Sequence, residues 1–160
     1  MYGFVPYQLS GIQKGIQFAH ALVEYSLKYG NTDEYKDWAN NHKTFVILNG
    51  GTTNDNITDY YYGYLNKILD DLKKHDINVA TFHEPDLGNQ LTSICFIVDE
   101  RVFDKINYPD FIQSKTDIIG KIISTNNYLY ESWKQKFSND ETEQEKIIYL
   151  REFLKDKKLA

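Results

Sequence analysis

The segment Thr44-Phe-Val-Ile-Leu-Asn49 is a continuous apolar run of strand length, closed by Gly50-Gly51. A strand with one wet face alternates apolar and polar residues, whereas an unbroken run calls for cover on both faces. The chain must therefore supply helices above and below a sheet, which restricts it to an α/β fold. Asn78-Val-Ala-Thr-Phe-His-Glu84 reads as a second strand and Leu91 to Asp99 as a third, joined by the turn formers Glu84-Pro-Asp-Leu-Gly-Asn-Gln90. Tyr2-Gly-Phe-Val-Pro-Tyr7 is expected to add an extra or edge strand, because Pro6 lacks the N–H that a central strand donates. The expected architecture is a mixed β-sheet of about four strands with helices on both faces.

The helices follow from their caps and periodicity. Ser10 followed by Gln13 is a capping-box pattern, and Gly30 stands where the helix would end. Ile12, Ile16, Ala19, Val23 and Leu27 recur at helical spacing and are expected to form its buried stripe, leaving Gln13, Gln17, His20 and Glu24 on another face. A second helix is expected over Thr32 to Asn41, with Thr32 as N-cap and Trp38 facing inward. A third runs over Ile57 to His75, with Leu65, Ile68, Leu69 and Leu72 inside. Beyond Arg101 no strand signature occurs. Ile118, Ile119, Ile122 and Ile123 predict one helix and Ile147, Ile148, Leu150, Phe153 and Leu154 another, separated by the polar stretch from Ser138 to Glu143. Residues 1–100 thus read as an α/β core, and residues 101–160 as a helical extension packed on it within one domain.

Composition narrows the function. The 160 residues carry 18 basic and 23 acidic side chains, a net charge of −5, which disfavours broad adhesion to nucleic acid and hence tRNA as a partner. No apolar run approaches membrane-spanning length, and the opening residues lack a leader pattern, so neither a membrane partner nor secretion is expected. The single cysteine, Cys95, lies in an apolar run and excludes an internal disulfide, which fits a cytoplasmic protein.

The candidate chemistry centres on two histidines. His83 ends a strand, where ligands of α/β sheets usually sit, and His20 shares a helix face with Gln17. If the helix crosses the sheet near that strand end, two imidazoles flank one phosphodiester as base and acid. Lys14 in the first helical turn is a candidate for phosphate charge. Asn49-Gly-Gly-Thr52 is a glycine turn that either cradles a phosphate or ribose or serves only as an exit loop. Glu84 and Asp86 flank Pro85 and either orient a ligand or cap the turn; Tyr60, in the cluster Tyr60-Tyr-Tyr-Gly-Tyr64, is a candidate stacking ring. No GxSxG, HExxH or paired CxxC motif is present, and no metal or cofactor is expected.

Gly11-Ile-Gln-Lys-Gly-Ile-Gln-Phe-Ala-His-Ala21, Trp38, Lys43-Thr-Phe-Val-Ile-Leu-Asn49, Glu84-Pro-Asp86 and Leu91-Thr-Ser-Ile-Cys-Phe-Ile97 together resemble the peptidyl-tRNA hydrolase type II fold, and among its members the small proteins of tailed phages. The resemblance covers about residues 1–100. It implies a catalytic lysine near Gly11 to Gln13, for which Lys14 is the nearest residue, and an acidic loop in which Glu84 or Asp86 stands for an aspartate. The leading expectation is a phage protein that hydrolyses a small nucleotide, such as a cyclic-dinucleotide defence signal, with His20 and His83 as the acid–base pair. The alternatives are a sponge that sequesters such a signal, peptidyl-tRNA hydrolysis as the resemblance alone implies, and an assembly protein without pocket chemistry. A homodimer is expected in the leading case.

Overall fold

The computed structural model describes residues 1–55, 62–111 and 127–160. They form two compact units, one of residues 1–98 with 156–160 and one of residues 99–155. The first unit is α/β, with a mixed four-stranded sheet in the order β2-β1-β4-β3. Its strands are β1 (Tyr2–Val5), β2 (Val46–Asn49), β3 (Val79–Glu84) and β4 (Gln90–Phe96). β1 runs parallel to β2 and antiparallel to β4, and β3 is antiparallel to β4.

One expectation about strand position is corrected. The segment around Pro6 is a central strand, not an edge; it stops at Val5, so the missing N–H of Pro6 falls outside the ladder. Conversely, the apolar run is the edge strand β2. It is half-buried at Val46 and Ile47, and its outer side takes an isolated bridge from Leu48 to Leu159. Asn49 N donates to the Lys158 carbonyl at 2.9 Å and Ala160 N to the Ile47 carbonyl at 3.0 Å. Residues 156–160 thus return to the first unit and cover the edge that the apolar run would otherwise expose.

Helix α1 (Gly11–Tyr29) opens on the expected capping box: Ser10 Oγ accepts from Gln13 N, and Gln13 Oε1 accepts from Ser10 N. Its buried face, however, is not the expected stripe. Gln17, Phe18, Ala21 and Tyr25 face the sheet, while Ile12, Ile16, Val23 and Leu27 are exposed. Two apolar stripes compete on this helix, and the one carrying two aromatic rings removes more area from water. Packing detail allows it. Gly3 has no side chain where Phe18 lies, since a Cβ there would collide with the Phe18 ring and approach the Ile94 carbonyl at 2.6 Å. Small Ala21 lets its carbonyl accept from the Cys95 thiol at 3.1 Å. Burial pushes that thiol up to about 12, so it is a packed, unreactive sulfur.

Thr32 caps α2 (Asp33–Asp37), which continues as a π-helical turn from Trp38 to His42. Trp38 faces inward as expected, its indole donating to the Thr44 carbonyl at 3.1 Å. Helix α3 (Tyr64–Lys74) buries Leu65, Ile68, Leu69 and Leu72, as the sequence predicts. Strand parity sets α1 and α3 on opposite faces. Gly3 faces Phe18 of α1, whereas its neighbour Phe4 lies with Leu65 of α3 around Gly50. Residues 57–61 of the predicted third helix, including Tyr60, lie outside the described residues.

The second unit contains α4 (Asn127–Lys134) and α5 (Glu141–Leu154), the latter capped by Asp140. The predicted helix around Ile118 to Ile123 lies outside the described residues. Both arginines of the chain are committed within this unit. Arg101 donates to Asp99 at 2.7–2.8 Å, to Glu143 at 2.6 Å and to the Phe137 carbonyl. Arg151 is buried, donates to the carbonyls of Tyr108 and Arg101, and lies over the Phe137 ring.

Candidate functional site

The residues that the structure does bring together are Gln17, Glu84 and one that the sequence reading passed over, Thr92. Gln17 sits in the second turn of α1 on the sheet side and is buried. Its Nε2 donates to Glu84 Oε2 at 2.6 Å, and its Oε1 accepts from the Thr92 hydroxyl at 2.5 Å. Both ends of the amide are therefore satisfied, which burying it requires. A carboxylate so held is preorganised, because the charged hydrogen bond restricts its rotamer.

A β-bulge makes this triad. In the β3–β4 ladder Phe82 pairs with Ser93 and the next residue, His83, pairs with Leu91, so Thr92 is an extra residue on β4. Two residues of a bulged strand oppose one of its partner, and the bulge re-aims a side chain. Here the hydroxyl of Thr92 turns toward α1, 3.3 Å from the Phe82 carbonyl, and meets Gln17. Nothing in the apolar sequence Leu91-Thr-Ser-Ile-Cys-Phe-Ile97 signals the bulge, so Thr92 reads as an ordinary strand residue.

The same strand separates the two histidines. The His20 ring stacks on Phe82, with centroids 4.3 Å apart and planes 17° from parallel. Ala80 belongs to the core beneath α1, and Glu84 reaches Gln17 on that side. The extra bulge residue lies on β4, so the alternation of β3 is undisturbed and His83 points to the opposite face of the sheet. His20 and His83 are thus not a facing acid–base pair. The remaining histidines do local work: His42 pairs with Asp37 at 3.2 Å, and His75 Nδ1 lies 2.8 Å from the Asp71 carbonyl at the end of α3.

Around the triad, Lys14 lies half-buried one turn before Gln17 on α1, and His20 lies exposed one turn after it. Glu84 is half-buried and ends β3, while Asp86 stands exposed in the following turn, Pro85–Leu87. Among the described residues no cation pairs with Glu84.

The glycine turn is occupied by structural hydrogen bonds instead of presenting a cradle. Asn49 Oδ1 accepts from Gly51 N at 2.8 Å. The Thr52 hydroxyl accepts from Tyr64 N at 3.3 Å and its carbonyl from Leu65 N at 2.9 Å, so Thr52 caps α3. The Thr53 hydroxyl donates to the Leu91 carbonyl at 2.5 Å, and Asn66 bridges Asn54 and Asp55. Asn49 and Thr52 thereby tie the loop to the sheet and helix; they do not join the Gln17 site.

Among the described residues no group of three His, Cys, Asp or Glu side chains is arranged to hold a metal, and no helix is long and apolar enough to cross a membrane. Compared with protein-family models, curated proteins and solved structures, the chain matches none.

Proposed function

We propose that the chain binds a small nucleotide at the Gln17–Glu84–Thr92 site and holds it without cleaving it, in the manner of a sponge for a cyclic-dinucleotide-type defence signal. The observation that carries this reading is the Glu84 carboxylate, fixed by a buried amide at 2.6 Å while no cation among the described residues neutralises it. An acceptor held in that way suits a sugar hydroxyl or an exocyclic amino group. Lys14, one turn away, supplies a positive charge for phosphate, and the exposed His20 ring backed by Phe82 offers a face on which a base stacks. Binding without turnover is favoured over hydrolysis because the second imidazole, His83, lies across the sheet.

Peptidyl-tRNA is the competing ligand, as the resemblance to the type II hydrolase fold implies, since its terminal adenosine offers the same hydroxyl and amine. A free dinucleotide is favoured because the chain carries a net charge of −5 and both arginines are committed within the second unit. A homodimer is part of this proposal, because the outward face of α1 is apolar.

Calorimetric titration with cyclic di-AMP, AMP and peptidyl-tRNA tests the reading. Cyclic di-AMP is expected to bind and to be recovered intact by chromatography after the protein is denatured. Glu84→Gln is expected to weaken binding roughly 10–100-fold, the worth of one hydrogen bond to a charged group, whereas His83→Ala leaves it unchanged. Cleaved dinucleotide would overturn sequestration, and peptide released from tRNA would replace it with the activity that the resemblance implies. Failure of all three ligands to bind would overturn the site itself.

A further inference from the structure

The exposed stripe of α1 is a seam. Ile12, Ile16, Val23 and Leu27 are 80, 49, 56 and 78 % exposed, on a helix whose opposite side is fully packed. Their spacing of four, seven and four, with Ala19 between the inner pair, follows one face of the helix along its length. We infer that this face pairs with itself, joining two copies of the chain through antiparallel α1 helices. This names the surface of the homodimer proposed above, and it rests on that part of the reading alone.

Self-complementarity makes a second copy of the chain the occupant. A two-fold interface sets the same patch against itself, so residue i meets j and j meets i. With the axis between Ala19 and His20, Ile12 meets Leu27 of the partner subunit and Ile16 meets Val23 of the partner subunit, each pair occurring twice. A large residue faces a large one at both ends, and Ala19 meets His20 of the partner subunit beside the axis. Steps of four, three, four and four residues keep these side chains on one face, as two helices packed side by side require. The antiparallel arrangement also sets each helix dipole against the opposite dipole of its neighbour.

The area agrees. Four aliphatic residues at these exposures present on the order of 500 Å² per chain, the size of the largest apolar patch on a monomer, which is often functional. Complete burial of this stripe in two copies removes about 1,000 Å², the threshold for a specific interface, and flanking atoms add to it.

Sedimentation equilibrium of the full chain tests the seam. The unmodified protein is expected to be a dimer. Ile12→Glu and Leu27→Lys, each alone, are expected to weaken association on the order of a hundredfold and halve the sedimenting mass. Both positions are about four-fifths exposed, so each variant keeps the circular dichroism and melting profile of the parent. The double variant Ile12→Glu with Leu27→Lys restores the dimer in low salt, because the antiparallel register sets each new acid against a new base. Failure of that rescue would overturn the register. A dimer that survives both single variants would overturn the seam and leave the homodimer standing, whereas a monomeric parent protein would overturn both. Nucleotide titration of the monomeric variants reads the Gln17 site separately, and binding is expected to be retained.

Discussion

Replacing Gln17 tests whether the triad is a real energetic unit. Gln17→Leu preserves most of the side-chain volume and removes two hydrogen bonds, one to the Glu84 carboxylate at 2.6 Å and one from the Thr92 hydroxyl at 2.5 Å. A bond to a charged group contributes about 1.5–3 kcal/mol and a neutral one about 0.5–1.5 kcal/mol. Both figures must be reduced here. Glu84 is half-exposed and regains water, and the Thr92 hydroxyl still lies 3.3 Å from the Phe82 carbonyl. The expected loss is therefore about 1–2 kcal/mol for Gln17→Leu, and about 1 kcal/mol more for Gln17→Ala, which also leaves unfilled space.

Urea unfolding followed by circular dichroism measures these losses, provided the slope against denaturant stays constant between variants. A double-mutant cycle with Glu84→Ala isolates the bond itself and should give a coupling of about 1 kcal/mol. Gln17→Leu as stable as the parent, together with zero coupling to Glu84, would refute the argument that a buried amide holds the carboxylate. The site would then reduce to a solvated surface glutamate.

Two further outcomes follow from the packing. Gly3→Ala sets a methyl group against the Phe18 ring and near the Ile94 carbonyl, both in fully packed surroundings, and should cost about 2 kcal/mol or more in the same urea assay. In the second unit, burial raises the Asp99 carboxyl, but hydrogen bonds and charge from Arg101 outweigh it and hold that carboxyl below its ordinary value; Ser138 and then Arg101 do the same for Glu143. Their contribution is present above the ordinary carboxylate range near pH 4 and is lost as pH falls through the lower folded values. The difference in urea midpoint between the parent and Arg101→Met should accordingly be full at neutral pH and shrink on acidification below about pH 4.

The sheet and its helices were legible because local signals and tertiary structure agree there. The capping box at Ser10, the N-cap at Thr32, the inner residues of α3 and the turn at Pro85 all require only neighbours in sequence. The failures fall where the deciding partner is distant. Pro6 could not reveal that its strand ends one residue earlier, nor the run at Thr44 that the last residues of the chain would cover its outer side. His20 and His83 share a sheet end in sequence terms, yet one residue of strand parity sets them on opposite faces, and the bulge that brings in Thr92 leaves no mark on composition.

The misreading of α1 has the same root and carries more consequence. Periodicity establishes that a stripe exists, but not what buries it. When a helix bears two stripes, the sheet takes the one that fits its contours, here Phe18, Ala21 and Tyr25 against Gly3 and Cys95. The other stripe, left at 49–80 % exposure, still faces the same free energy of hydration that drives core formation. An apolar pattern regular enough to read as a core residue set, yet pointing away from its own core, is what a surface selected to meet a second helix would display. The polar face expected to be wasted supplies the corollary: Gln17 is buried because its amide joins the helix to the sheet end at which Glu84 stands.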